Sequence, residues 1–95
     1  MKKFMMMHFG FEKPTDEIMQ AWRDWFASIA DCQIDQGGFM GGKEVSDEGV
    51  KDLGWGMDSI TGFNVIKAES MEKALTLAKG CPYIKSIRVY EMREM

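Results

Sequence analysis

His8 is the chain's single histidine, and an imidazole with an ordinary pKa of about 6.5 can exchange a proton near neutral pH. Three other side chains complement it. The guanidinium of Arg88 can hold a carboxylate or an enolate, while the Asn64 amide and the Tyr90 phenol can orient a carbonyl. All four stand in segments that read as strands, where side chains alternate between faces. If Met5, Met7, Phe9, Phe63, Val65, Ile87 and Val89 turn toward the helices, then His8, Asn64, Arg88 and Tyr90 share the opposite face. The expected site has His8 as the proton-transfer residue and Asn64, Arg88 and Tyr90 as ligand-binding groups, acting on a small anionic molecule. The competing expectation is that these groups hydrogen-bond to one another or across a subunit interface, since buried polar groups need partners with or without a ligand.

Other chemistry-bearing residues read as structural. The run Gly37-Gly38-Phe39-Met40-Gly41-Gly42-Lys43 superficially offers amides to a phosphate. A phosphate loop, however, follows a strand and opens a helix, whereas here a helix comes first. Cys81 sits just past a predicted helix C-terminus, whose partial negative charge disfavours a thiolate, and Cys32 lies near the end of the other helix. Both are expected to be free packing thiols. Two cysteines without CxxC spacing and one histidine make no zinc set, and Glu44, Asp47, Glu48, Asp52 and Asp58 lack calcium-loop spacing. No metal and no cofactor are predicted.

The elements that must position these residues follow from periodicity. Lys3 to Phe9 is apolar and closed by Gly10, too short for a helix, and reads as a strand covered on both faces. Pro14, Asp16 and Glu17 suit a first helical turn, and Ile18, Trp22, Trp25 and Ile29 recur at helical spacing. This predicts a long amphipathic helix ending before Gly37. Lys43 to Ser46 reads as a short strand, and residues 47 to 61 as a polar acidic loop with Trp55 and Met57 tucked inward. Gly62 to Ala68 is a strand. Ser70 then caps a helix in which Met71, Ala74, Leu75 and Ala78 form the apolar stripe, with Gly80 and Pro82 as its stop. Ile84 to Met92 alternates as the last strand, before the tail Arg93-Glu94-Met95. The order βαββαβ predicts an α+β, ferredoxin-like fold: a four-stranded antiparallel sheet with two helices on one face and its first and third strands central.

With 95 residues, 45% of them hydrophobic, the chain is expected to form one domain over residues 1 to 95. A net charge of −3, with no cluster of lysines or arginines, argues against nucleic acid as a partner. Apolar runs are too short for a secretory core or for a membrane span of about 20 residues, so a soluble, cytoplasmic protein is expected. One sheet face is left bare by the predicted fold, yet the first strand is apolar on both sides. At about 25 cal/mol per Å² of apolar area, leaving that face wet forfeits a few kcal/mol. A second copy packed sheet to sheet would cover it.

The segments Gly62-Phe63-Asn64-Val65-Ile66-Lys67-Ala68-Glu69-Ser70-Met71-Glu72-Lys73-Ala74 and Leu77-Ala78-Lys79-Gly80-Cys81-Pro82, with the Trp22-x-x-Trp25-Phe26 helix leading to Gly41-Gly42-Lys43, resemble the YCII-related family and its DGPF-type branch. The resemblance implies a ferredoxin-like subunit in a dimeric α+β barrel. Better-known relatives place a histidine on the first helix and an aspartate near the second strand. This helix carries Trp22, Arg23, Asp24 and Trp25 but no histidine, so that pair is not carried over. The expected function is binding of a small polar or anionic molecule in a cleft between the sheet and a partner subunit, with cofactor-free catalysis open. A ligand-sensing accessory module and a purely structural dimer are the alternatives.

Overall fold

The computed structural model describes residues 1–93, so Glu94 and Met95 of the charged tail lie outside the described residues. In chain order the elements are β1 (Lys2–Phe9), α1 (Asp16–Ile29), β2 (Gln33–Gly38), β3 (Gly42–Ser46), β4 (Gly49–Leu53), β5 (Ile60–Ala68), α2 (Met71–Lys79) and β6 (Ser86–Met92). The main antiparallel sheet has the order β2-β5-β1-β6, while β3 and β4 form a separate hairpin. Removing the hairpin leaves the expected βαββαβ, with the first and third sheet strands central. The ferredoxin-like α+β architecture is therefore the one the sequence predicts.

The second sheet strand is not where the sequence placed it. Helix α1 stops at Ile29, and β2 is built from Gln33 to Gly38, residues that lack the β-branched run normally read as a strand. It forms because the β5 edge offers a ladder: Gln36 pairs with Asn64 and Gly38 with Gly62. Lys43 to Ser46 instead pairs with a strand inside the predicted loop, through Val45 opposite Val50 and Ser46 opposite Gly49. Gly49 has φ +111°, a conformation that glycine supplies without strain at this tight turn. All ten residues of the two strands are exposed. Trp55 and Met57 are half-exposed rather than tucked inward, with Trp55 resting on Phe11.

Burial fixes which strand face meets the helices. Phe4, Met6 and His8 of β1 and Asn64, Ile66 and Ala68 of β5 are buried, and Ile87 and Val89 of β6 pack against the same cluster. Trp22, Trp25 and Ile29 of α1 and Ala74 and Ala78 of α2 cover them. The expected parity is thus inverted in β1 and β5 and correct in β6. The reason lies in register and charge. Met6 is opposite both Asn64 and Val89, so even residues of β1 share a face with odd residues of β6. The alternative parity would also turn Lys3 and Lys67 into the helix layer, where an unpaired ammonium is very costly.

Helix α2 shows the same kind of displacement on a smaller scale. Its buried stripe is Met71, Ala74, Leu77 and Ala78, while Leu75 is 41% exposed. Ser70 caps the helix as predicted, its hydroxyl accepting from the Lys73 amide at 3.3 Å. In urea denaturation Ser70→Ala is expected to cost about 1 kcal/mol, whereas Leu75→Ala should stay within about 0.5 kcal/mol of wild type. A Leu75→Ala loss like that of a core leucine would contradict this helix orientation.

Candidate functional site

His8 enters the helix layer near the end of β1, between two indoles. Its ring stands edge-on to Trp22 at a centroid distance of 5.1 Å and to Trp25 at 5.7 Å. The position follows from helical spacing: Trp22 and Trp25 are three residues apart, so both overhang the same strand. Trp25 is held in turn by donating its indole N–H to the Leu77 carbonyl at 2.9 Å, which ties α1 to α2.

Hydrogen bonds fix the imidazole in one tautomer. Asn64 donates from Nδ2 to Gln33 Oε1 at 2.6 Å, which turns Asn64 Oδ1 toward His8. That oxygen can only accept, so His8 Nε2 carries the proton and donates at 2.5 Å. Nδ1 is left as the acceptor, facing the Cys81 sulfur at 3.9 Å. Burial pushes the Cys81 thiol up to about 12, so it stays protonated and can act as the weak donor of this chain. His8 is held below its ordinary value, chiefly by desolvation, against an upward pull from the Asn64 hydrogen bond. Cys81, His8, Asn64 and Gln33 thus form a continuous neutral network through the core.

A cleft of about 420 Å³ opens beside this network, between α1 and the β2–β5 side of the sheet. His8 and Asn64 form its inner wall, Trp22 and Phe26 the helix wall, and Gln36 and Thr61 add polar groups. Among the described residues no lysine, arginine or carboxylate lines it. The glycines at its mouth have a steric reason. A Cβ on Gly62 would stand 2.7 Å from the Gly37 carbonyl oxygen, and one on Gly37 would stand 2.6 Å from the Phe63 ring, both closer than side chains tolerate. Gly37 therefore belongs to a close-packed part of the edge strand β2, and Gly38 follows it in the same strand with open space at its Cβ position.

The four residues expected to share one site are divided by the sheet. His8 and Asn64 come together on the helix face. Arg88 and Tyr90 lie on the open face, where Arg88 sits 4.4 Å above the Phe9 ring and Tyr90 is half-exposed. The expected convergence of His8 with Arg88 therefore fails, because Arg88 is cross-strand from Met7 and follows its parity. Sequence reasoning also missed Gln33 and Gln36, which lie in a strand with no apolar alternation to announce it. Trp22 and Phe26, four residues apart on one helix, were legible as a stripe, and the structure makes that stripe the cleft wall.

Fold and cleft together define a ferredoxin-like α+β protein with an aromatic-walled pocket under its first helix. No family model matches the chain, and no curated protein does. Among solved structures it is similar to 5-chloro-2-hydroxyhydroquinone dehydrochlorinase (TftG) from Burkholderia phenoliruptrix AC1100, determined in complex with 2,5-dihydroxybenzoquinone. The TM-score is 0.62 at 13% identity, covering 98% of this chain and 95% of that one. At this identity the likeness shows the fold alone, the ferredoxin-like α+β arrangement expected from the sequence. Among the described residues no helix is long and apolar enough to cross a membrane.

Proposed function

We propose that this chain is a YCII-like protein that binds a small, flat, polar molecule in the cleft beneath α1. The observation that carries the reading is the pairing of aromatic walls, Trp22 and Phe26, with a floor whose polar groups are locked in one orientation by the Gln33-Asn64-His8 hydrogen bonds. Such a pocket favours a ring that stacks and carries oxo or hydroxyl substituents at its edge. The absence of a cation among the lining residues shifts the expected ligand from anionic toward uncharged. The fold neighbour's complex with a dihydroxybenzoquinone lends support at the level of ligand size and shape.

A second reading, a cofactor-free enzyme, is favoured by one observation: His8 lines the cleft as a neutral imidazole, the form that can accept a proton from a ring hydroxyl. In this reading Nδ1, the unprotonated nitrogen, must release Cys81 before it can take that proton. The molecule acts as a homodimer, because Met5, Met7 and Phe9 stay only half-buried on the sheet face away from the helices, with no further element among the described residues over them. Arg88 and Tyr90 then belong to the subunit interface.

Ligand-induced thermal shifts test the cleft. With 2,5-dihydroxybenzoquinone, hydroxylated hydroquinones and small carboxylates as probes, wild type should be stabilised by at least one ring compound. Phe26→Glu and Gln36→Glu, both at the exposed mouth, should weaken that binding by about tenfold or more, equivalent to about 1.4 kcal/mol. Equal shifts in all three proteins would sink the cleft as the binding site. Turnover of a bound probe, lost in His8→Ala while that variant still binds, would select the enzyme reading.

A further inference from the structure

The β3–β4 hairpin has no role in the core or in the cleft, and its physical situation is unusual. A lone two-stranded hairpin is marginal in water, yet all ten strand residues are exposed, with Val45 at 79% and Val50 at 67%. These two valines are cross-strand partners, so they form one apolar spot on one face of the arm. The groove lined by Glu44, Lys51 and Leu53 lies on the other face. Just beyond the valines, the arm ends in the two-residue turn Asp47-Glu48. The molecule is a plate 41 by 40 by 18 Å, and the arm's two strands pair only with each other, in a sheet separate from the main one.

The open sheet face carries the complementary pattern. Met5 and Val65 are cross-strand partners, and the next pair on that face is Lys3 opposite Lys67. Two like charges directly across a sheet repel, and among the described residues neither lysine has an ion-pair partner. One surface therefore presents an apolar pair followed by two carboxylates, and the other an apolar pair followed by two ammonium groups. The two-residue step from pair to pair is alike on both surfaces, about 7 Å at the usual strand rise.

We infer that the β3–β4 arm of one copy lies on the open sheet face of a second copy, with Val45 and Val50 over Met5 and Val65 and with Asp47 and Glu48 against Lys3 and Lys67. This rests on the dimer reading above and names the segment that covers the face. Burying the valines against the sheet removes their own exposure and what remains of Met5's, Val65 being only 6% exposed already, and the acidic tip relieves the lysine pair. In a two-fold dimer the exchange occurs twice, each copy giving an arm and receiving one.

Charge reversal tests the pairing, with sedimentation equilibrium as the readout and far-ultraviolet circular dichroism to confirm folding. Wild type should be dimeric and should weaken as salt is raised. The tip variant Asp47→Lys/Glu48→Lys, placed in an exposed turn, should dissociate about tenfold or more readily, and Lys3→Glu/Lys67→Glu likewise. The four substitutions combined should recover most of the wild-type affinity. Should the lysine variant fail to fold, Val45→Asn/Val50→Asn takes its place and is also expected to weaken the dimer. A wild-type dimer indifferent to the tip variant, or two weakened variants whose combination shows no recovery, would overturn the arm exchange while leaving a sheet-to-sheet dimer standing. A wild-type protein that is monomeric at every concentration would overturn the arm and the dimer together.

Discussion

Phe4→Ala is expected to destabilise the protein by about 3–5 kcal/mol in urea denaturation, the usual cost of deleting a buried phenylalanine ring. Phe4 is fully buried, in the cluster formed by Met6, Ile66, Trp25 and Ile29, under both helices. Its neighbours are held by strand pairing on both sides, since Phe4 is opposite Ile66 in β5 and Glu91 in β6. The layer therefore cannot close over the void, and a cavity term adds to the lost transfer energy. For a domain whose whole stability is about 5–15 kcal/mol, such a loss leaves a large unfolded fraction at moderate temperature. Met5→Ala, one residue along, should cost far less in the isolated chain, because Met5 lies on the open face and is half-buried. Its effect should show in the dimer equilibrium. If Phe4→Ala proved the milder of the two, β1 would have the opposite face toward the helices.

Acid should weaken the fold through His8. In the folded protein the imidazole sits between Trp22 and Trp25 and donates to Asn64, and burial holds its pKa below the ordinary value of 6.5. The unfolded chain binds a proton near 6.5, and the folded chain only at lower pH. Between those two values the unfolded state carries more protons, so stability rises with pH across that window. This contribution is complete above about 6.5, is lost as pH falls toward the folded pKa, and levels off below it. Among the described residues no charged group is hydrogen-bonded or ion-paired to the ring, whose partners are Asn64, Cys81 and the two indoles. Because His8 is the only histidine, its titration can be followed by NMR without assignment. The midpoint should lie below 6.5, and the stability difference between wild type and His8→Gln should shrink as pH falls from 7 through that window. A midpoint at or above 6.5 would mean that the ring is solvated or has gained an anionic partner.

Several parts of this protein were legible residue by residue. Ser70 and its following apolar stripe announced α2, and Ile18, Trp22, Trp25 and Ile29 announced α1, because capping and helical periodicity are local properties of consecutive residues. Short apolar or β-rich runs at Phe4, Val65 and Val89 announced the three longer strands of the main sheet, and their order around two helices was enough for the ferredoxin-like architecture. Lys67 was a further local signal, since a lysine between Ile66 and Ala68 marks the wet face of β5. By strand parity it places Asn64 under the helices.

Tertiary structure decided the rest. Gln33 to Gly38 has no pattern of its own and becomes a strand because β5 presents an unpaired edge, so no local window could reveal it. The face shared by His8 and Arg88 was equally hidden, because it depends on how β6 returns beside β1. Met7 meets Arg88 and His8 meets Ile87, and a shift of one residue in that register would exchange the two faces. Local composition determined which elements form, through side-chain entropy, capping and periodicity. Long-range pairing determined which side chains meet, and so put His8 with Asn64, Gln33 and Cys81 under α1, and Arg88 and Tyr90 on the far side of the sheet.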